Sequence, residues 1–211
     1  MGKIEIVKGK DSIIYFEGKK CIHSRNCVLS RSDVFVPNVD GDWIYPDNAT
    51  SDEILELAHN CPSGAIRYER IDGVNPETPP KVNLVRIREN GPLAFHGDLK
   101  INESKCIRAT LCRCGASNNK PYCDGTHSSI DFKATGEIEL KESKALENRN
   151  GEVLINPLID GPLEVKGSLE VVTGTGKTIN KTTQTYLCRC GASNNKPYCD
   201  GSHKKINFKS E

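Results

Sequence analysis

Long apolar runs are missing from the 211-residue chain. The longest, such as Ile13-Ile14-Tyr15-Phe16 and Val34-Phe35-Val36, stop far short of the roughly 20 residues that a membrane-spanning helix needs. An excess of either charge is missing too: with 29 Lys+Arg against 28 Asp+Glu, composition supplies no basic field for gripping nucleic acid or an anionic membrane surface. The opening residues, Met1-Gly2-Lys3-Ile4-Glu5-Ile6, lack an apolar core of signal-peptide length. A soluble, cytoplasmic protein with no membrane and no nucleic-acid partner is the expectation. A phosphate loop is absent as well, because Gly174-Thr175-Gly176-Lys177-Thr178 lacks the Gly-x₄-Gly-Lys-Ser/Thr spacing, and no catalytic constellation argues for an enzyme.

What the chain does have is cysteine, ten of them. In a reducing compartment, close Cys pairs with His nearby favour metal over a disulfide framework. The pairs are repeated. Leu111-Cys112-Arg113-Cys114-Gly115-Ala116-Ser117-Asn118-Asn119-Lys120-Pro121-Tyr122-Cys123-Asp124-Gly125 recurs identically from Leu187 to Gly201, and Thr126-His127 then matches Ser202-His203. Upstream, Gly91-Pro92-Leu93 with Gly97 and Leu99 parallels Gly161-Pro162-Leu163 with Gly167 and Leu169. The extra residues of the second copy fall in a longer loop at Gly174-Thr175-Gly176-Lys177.

Two copies are too few for a solenoid and suggest two small domains about a pseudo-twofold axis. Leu93–His96, Leu163–Lys166 and Leu169–Val172 are short, partly alternating and bounded by Gly, Asn or Pro, which predicts antiparallel β structure. Residues 72–80 read as a linker and 141–151 as the join between repeats. The first part of the chain differs: strands are expected at Ile4–Val7 and Ile13–Glu17. A helix should start at a Thr50/Glu53 capping box, present Ile54, Leu55, Leu57 and Ala58 on one face, and stop at Cys61-Pro62. The expected class is α+β, with domains at 1–72, 80–140 and 150–211.

Within each repeat, residues two apart in an extended segment share a side, so Cys112 and Cys114 can face one metal centre. Residues four apart share a helical face, so Cys123 and His127 can join them if Asp124, a suitable N-cap, and Gly125 open a helical turn. Cys188, Cys190, Cys199 and His203 repeat the pattern.

These residues resemble the CDGSH iron–sulfur family, also called NEET proteins: Cys-x-Cys, then Ser or Thr, Pro, and Cys-Asp-Gly-Ser/Thr/Ala-His. The resemblance implies a 2Fe-2S cluster on Cys112, Cys114, Cys123 and His127, and another on Cys188, Cys190, Cys199 and His203. It also implies mainly-β modules that pair within the chain as a pseudo-dimer. A Cys₃His set would equally satisfy structural zinc, although single-residue cysteine spacing is less typical of zinc knuckles. Imidazole in place of one thiolate makes a cluster less negative and should raise its potential.

A second resemblance lies at the N-terminus. Cys21-Ile22-His23-Ser24-Arg25-Asn26-Cys27, with Cys61-Pro62 later, is similar to a single-cluster bacterial ferredoxin in which Ser24 stands where the second cysteine would be. This implies a small ferredoxin-like domain with either a 3Fe-4S cluster on Cys21, Cys27 and Cys61, or a 4Fe-4S cluster whose fourth iron uses Ser24, His23 or solvent. A degenerate domain keeping its cysteines as small buried hydrophobes is the bland alternative. Cys106, His59 and His96 stand outside these patterns, and Arg113, Lys120, Arg189 and Lys196 are expected to offset cluster charge or face solvent. The function implied is electron transfer with a redox protein partner; the alternatives are a carrier delivering a cluster to an apo-acceptor and a redox sensor.

Overall fold

The computed structural model describes residues 4–74 and 77–210, so Met1–Lys3 and part of the linker expected over 72–80 lie outside the described residues. The chain divides into two compact units, 1–78 and 79–211, and is mostly β with few, short helices among the described residues.

In the first unit, β1 (Ile4–Lys8), β2 (Ser12–Glu17) and β3 (Ile66–Arg70) form an antiparallel sheet with β2 at its centre. Two helices accompany it, α1 (Asn26–Ser30) and α2 (Ser51–His59). The capping box forms. The Thr50 hydroxyl accepts the Glu53 N–H, and the Glu53 carboxylate accepts the Thr50 N–H at 2.8 Å, so two otherwise orphaned donors are satisfied. α2 buries Ile54, Leu57 and Ala58 in one core with Ile14, Val34, Phe35 and Ile66, while Leu55 is only half-buried. The helix therefore ends with Cys61 already in that core, and Pro62 keeps the helix from continuing through it.

The second unit is built on β4 (Leu84–Ile87), β5 (Leu93–Ile101), β6 (Ser104–Leu111), β7 (Glu152–Pro157), β8 (Leu163–Val172) and β9 (Thr178–Leu187). The two short strands expected at Leu163–Lys166 and Leu169–Val172 are one strand, bent where its register against β9 shifts. Gly167 sits at the bend with φ +120°, and a Cβ there would lie 2.6 Å from the Glu152 carbonyl oxygen. Only glycine lets β7 approach so closely, and the bulge breaks the alternation that a sequence pattern relies on. β5 bends at the matching place, between His96 and Leu99.

These bends let each long strand pair with two partners along one edge. β5 pairs antiparallel with β4 through Leu93–His96 and parallel with β7 through Asp98–Ile101. β8 mirrors it, antiparallel to β7 through Leu163–Lys166 and parallel to β4 through Glu170–Val172. Each repeat's short strand thus bridges to the other repeat's hairpin. The circuit encloses one core of Leu93, Phe95, Leu99, Leu163, Val165, Leu169 and Val171.

Candidate metal centres

The Cys-x-Cys segments leave β6 and β9 at Leu111 and Leu187. Each is fixed by the loop that returns to it: Cys112 N–H donates to the Pro121 carbonyl at 2.8 Å and Cys123 N–H to the Thr110 carbonyl at 2.9 Å, with Cys188–Pro197 and Cys199–Tyr186 as counterparts. Ser117 and Ser193 hydroxyls donate to the Tyr122 and Tyr198 carbonyls. The Lys120–Pro121 and Lys196–Pro197 bonds are cis. Lys120 and Lys196 are not free surface charges, because their Nζ atoms donate to the Ser117 and Ser193 carbonyls within the loops.

The donors come together in pairs. Cys112 and Cys114 Sγ atoms are 3.7 Å apart, and Cys123 Sγ is 3.4 Å from His127 Nδ1; the second repeat gives 3.8 Å and 3.4 Å for the corresponding pairs. Two sulfurs about 2.3 Å from one tetrahedral metal lie about 3.8 Å apart, and a sulfur and an imidazole nitrogen about 3.6 Å. Both pairs match the edge of a metal tetrahedron. Among the described residues, however, no three Cys, His, Asp or Glu side chains surround a single ion position.

Cys123 and His127 do not meet on one helix face as expected. α3 (Thr126–Ser129) and α4 (Ser202–Lys205) begin after the cysteine, and Gly125 and Gly201, at φ +88° and +86°, are the N-caps. The left-handed turn folds each histidine back toward its cysteine and aims the Gly125 and Gly201 N–H groups at the Cys123 and Cys199 sulfurs, both at 3.4 Å. Asp124 and Asp200 hold the turn without capping the helix. Asp124 accepts the Asn118 and Thr126 N–H groups, and Asp200 those of Asn194 and Ser202. Bonds from Ser202 and Asn194 keep the Asp200 carboxylate well below its usual range; at Asp124 burial opposes the shift, but its hydrogen bonds prevail.

Electrostatics distinguishes the two thiols of each pair. A hydrogen bond from Cys114 pushes Cys112 down while Cys114 moves up, and Cys188 and Cys190 behave alike. Burial pushes Cys123 up to about 11 and pulls His127 down.

Of the two places expected for the arginine inside each Cys-x-Cys segment, beside the centre or in solvent, the structure excludes solvent: both are buried. Arg113 is 1% exposed and donates to the carbonyls of Arg88, Gly91, Ala134 and Thr135. Arg189 is 3% exposed and donates to those of Gly161 and Leu158. The guanidiniums lie over Phe132 and Phe208 at 5.6 and 5.5 Å. Burial pulls Arg113 down to about 10, against the favourable charges of Glu89, Cys188 and Cys114, so it stays cationic at pH 7.

The two centres touch through backbone. Cys114 and Cys190 form an antiparallel bridge. A Cβ on Gly115 would lie 2.5 Å from the Cys190 carbonyl oxygen, and one on Gly191 would strike that of Cys114. Cys106 lies on β6, half-buried against the core, and none of the ten cysteines is in a disulfide.

In the first unit, Cys21, Cys27 and Cys61 line one cavity of about 400 Å³ with Ile22, His23, Ser24, Trp43 and Ser63. A 3-10 turn at Gly18–Lys20 delivers Cys21 directly from β2, α1 carries Cys27, and α2 delivers Cys61. Burial raises both Cys21 and Cys27. His59 ends α2, two residues before Cys61 but not among the residues lining the cavity, and His96 lies on β5.

Comparison with known proteins follows the same division. A family described as "iron-binding zinc finger CDGSH type" matches residues 90–128 and 160–204, and one described as "divergent 4Fe-4S mono-cluster" matches residues 7–70. The uncharacterized protein YjdI of Escherichia coli, in two strains, is 34% identical over 61 residues, which span 28% of this chain and 78% of YjdI.

Proposed function

The chain belongs to the CDGSH-type iron-binding proteins, with a YjdI-related divergent 4Fe-4S mono-cluster domain at its N-terminus, and on that premise we propose that it is an iron–sulfur electron-transfer protein. In this reading Cys112, Cys114, Cys123 and His127 hold one 2Fe-2S cluster and Cys188, Cys190, Cys199 and His203 another. Cys21, Cys27 and Cys61 hold a 3Fe-4S or 4Fe-4S cluster in a ferredoxin-like domain. The carrying observation is the two-plus-two grouping of donors in both repeats. Each pair has the spacing of one metal's tetrahedral edge, yet no three donors share an ion position among the described residues. That pattern suits two adjacent irons better than one zinc.

A bound 2Fe-2S core would supply one-electron redox chemistry; the chain's own residues set its environment. Cys112, Cys123 and Cys188 are buried, at 1%, 2% and 1% exposure, while His127 and His203 are half-buried in surface turns, so each centre opens on its histidine side. Among the described residues no carboxylate hydrogen-bonds Arg113 or Arg189, and their charges interact with Cys112, Cys114 and Cys188, which favours the reduced, more negative state. The bridge between Cys114 and Cys190 joins the ligand loops, consistent with the two modules working as an intrachain pseudo-dimer. A cytoplasmic redox protein is the partner this reading requires.

Iron and acid-labile sulfide analysis with a visible spectrum tests it: sulfide-containing, coloured protein is expected, and colourless zinc protein would overturn it. The outward-facing histidines favour cluster delivery as a second reading. Mixing holo protein with an apo-ferredoxin separates the two, since a cluster appearing on the acceptor supports delivery and redox change with full retention supports electron transfer.

A further inference from the structure

We infer that His23 is the fourth protein ligand of a 4Fe-4S cluster in the first unit. This rests on the reading of that unit as a cluster site and names the ligand that three cysteines leave open. Three thiolates can hold three corners of a cubane, so the fourth iron needs another donor.

Besides the cysteines, the polar side chains lining the cavity are His23, Ser24, Arg25, Asn26 and Ser63. Three have other roles or lack a suitable lone pair. Arg25 is a cation with no acceptor. Asn26 Nδ2 donates to the Asn60 carbonyl at 3.0 Å, tying the start of α1 to the end of α2. Ser63 is 2% exposed; its Oγ accepts the Ala65 N–H at 3.3 Å and lies 3.6 Å from Cys61 Sγ, so it shapes the turn that carries that cysteine.

Donor chemistry separates the remaining two. A serine hydroxyl must give up its proton to become a strong iron ligand, and among the described residues no carboxylate lines the cavity to take it. Imidazole binds through a ring-nitrogen lone pair and suits iron. The backbone favours histidine as well. The His23 N–H donates to Cys21 Sγ at 3.4 Å, and His23 and Arg25 adopt φ of 53° and 63°, which coils the segment between Cys21 and Cys27 along the cavity. Histidine is among the few side chains enriched in that left-handed region. Phe16, Val28, Trp43 and Ile66 make the rest of the lining apolar, while His23 is exposed. The half-buried Cys21 and Cys27 and the buried Cys61 would thus hold the inner corners and the imidazole the outer one.

The test uses the full chain reconstituted anaerobically, with iron counts and paramagnetic resonance of oxidised and reduced samples. Wild-type protein should carry four irons beyond those of the two repeats and no 3Fe-4S signal when oxidised. His23→Ala should lose one iron per chain and gain the near-isotropic oxidised signal of a 3Fe-4S cluster. Ser24→Ala should match wild type, and His23→Cys should restore the iron count while lowering that cluster's potential. Retention of at least three irons beyond those of the repeats reports that the first unit of each variant folds. Loss of the iron in Ser24→Ala, its retention in His23→Ala, or a wild-type 3Fe-4S cluster that takes up no further iron would overturn the assignment. Wild-type protein with only the irons of the repeats would instead reject the cluster reading of the unit itself.

Discussion

Residues 111–125 and 187–201 are the same amino acids folded the same way, with matching sulfur–sulfur and sulfur–nitrogen spacings, yet their surroundings differ. The turn packed on the first copy is Arg88-Glu89-Asn90-Gly91, and on the second Leu158-Ile159-Asp160-Gly161. Among the described residues, Arg113 ties four carbonyls together and Arg189 two. A Cβ on Gly91 would lie 3.8 Å from His127 Nε2, so the first turn passes near that nitrogen without covering it. The lesson is a separation of tasks. Under the proposed reading, identical ligand loops would define what is bound, and the non-identical turns around them would set how firmly it is held and at what potential.

The sharpest way to break the comparison is at the crossing. If the repeats were independent, Gly115→Val would harm only the first. A side chain there meets the Cys190 backbone and must adopt φ +85°, so the crossing should open, at a cost of roughly 3 kcal/mol or more. Iron should be lost from both repeats, and iron content per chain reads this; loss confined to the first repeat would mean that the contact is incidental.

Replacing each buried arginine sharpens the contrast. Arg113→Met strands carbonyls that now accept charged hydrogen bonds, and about 3–5 kcal/mol of stability should be lost, with Arg189→Met costing less. Denaturant titration checks the order, and equal or reversed losses would contradict the bonding difference. Next in size, His127→Cys and His203→Cys should each lower the potential of the altered site while leaving the other nearly in place. Potentiometric titration would show two separated waves where wild type gives closer ones; a rise at the altered site would contradict this.

The smallest effect is on acidity. Asn90 accepts the Ala134 N–H in the first repeat, whereas Asp160 accepts the Ser210 N–H and the Lys209 ammonium in the second. Lys209, then Ser210, hold the Asp160 carboxylate below its ordinary value. A depressed folded value means that the clasp contributes stability above the unfolded aspartate pKa, about 3.9, and loses it as pH falls through the lower folded one. The Ser210 amide resonance should titrate below that ordinary value while Ala134 stays still; a Ser210 midpoint at or above it would count against the clasp.

Much of this was legible in the sequence. The repeat, with the histidine two residues beyond its identical part, marked every donor that the structure draws into pairs, and Thr50, Glu53 and Pro62 marked the ends of α2 because capping is local chemistry. The bends at Gly97 and Gly167 were not legible, since a bulge interrupts alternation and makes one strand look like two. Nor was the exchange of β4 and β7 between repeats, because their partners lie far away along the chain and leave no periodic trace. The burial of Arg113 and Arg189 was not legible, because arginine is rarely buried and only the fold reveals the carbonyls that receive them.

The most direct test is Mössbauer spectroscopy of the iron-57-labelled full chain. Each repeat should contribute two inequivalent tetrahedral ferric irons, one bound only by sulfur and one also by nitrogen, with one iron per repeat becoming ferrous on reduction. Zinc in the repeats, or a lone iron in each, would contradict the account.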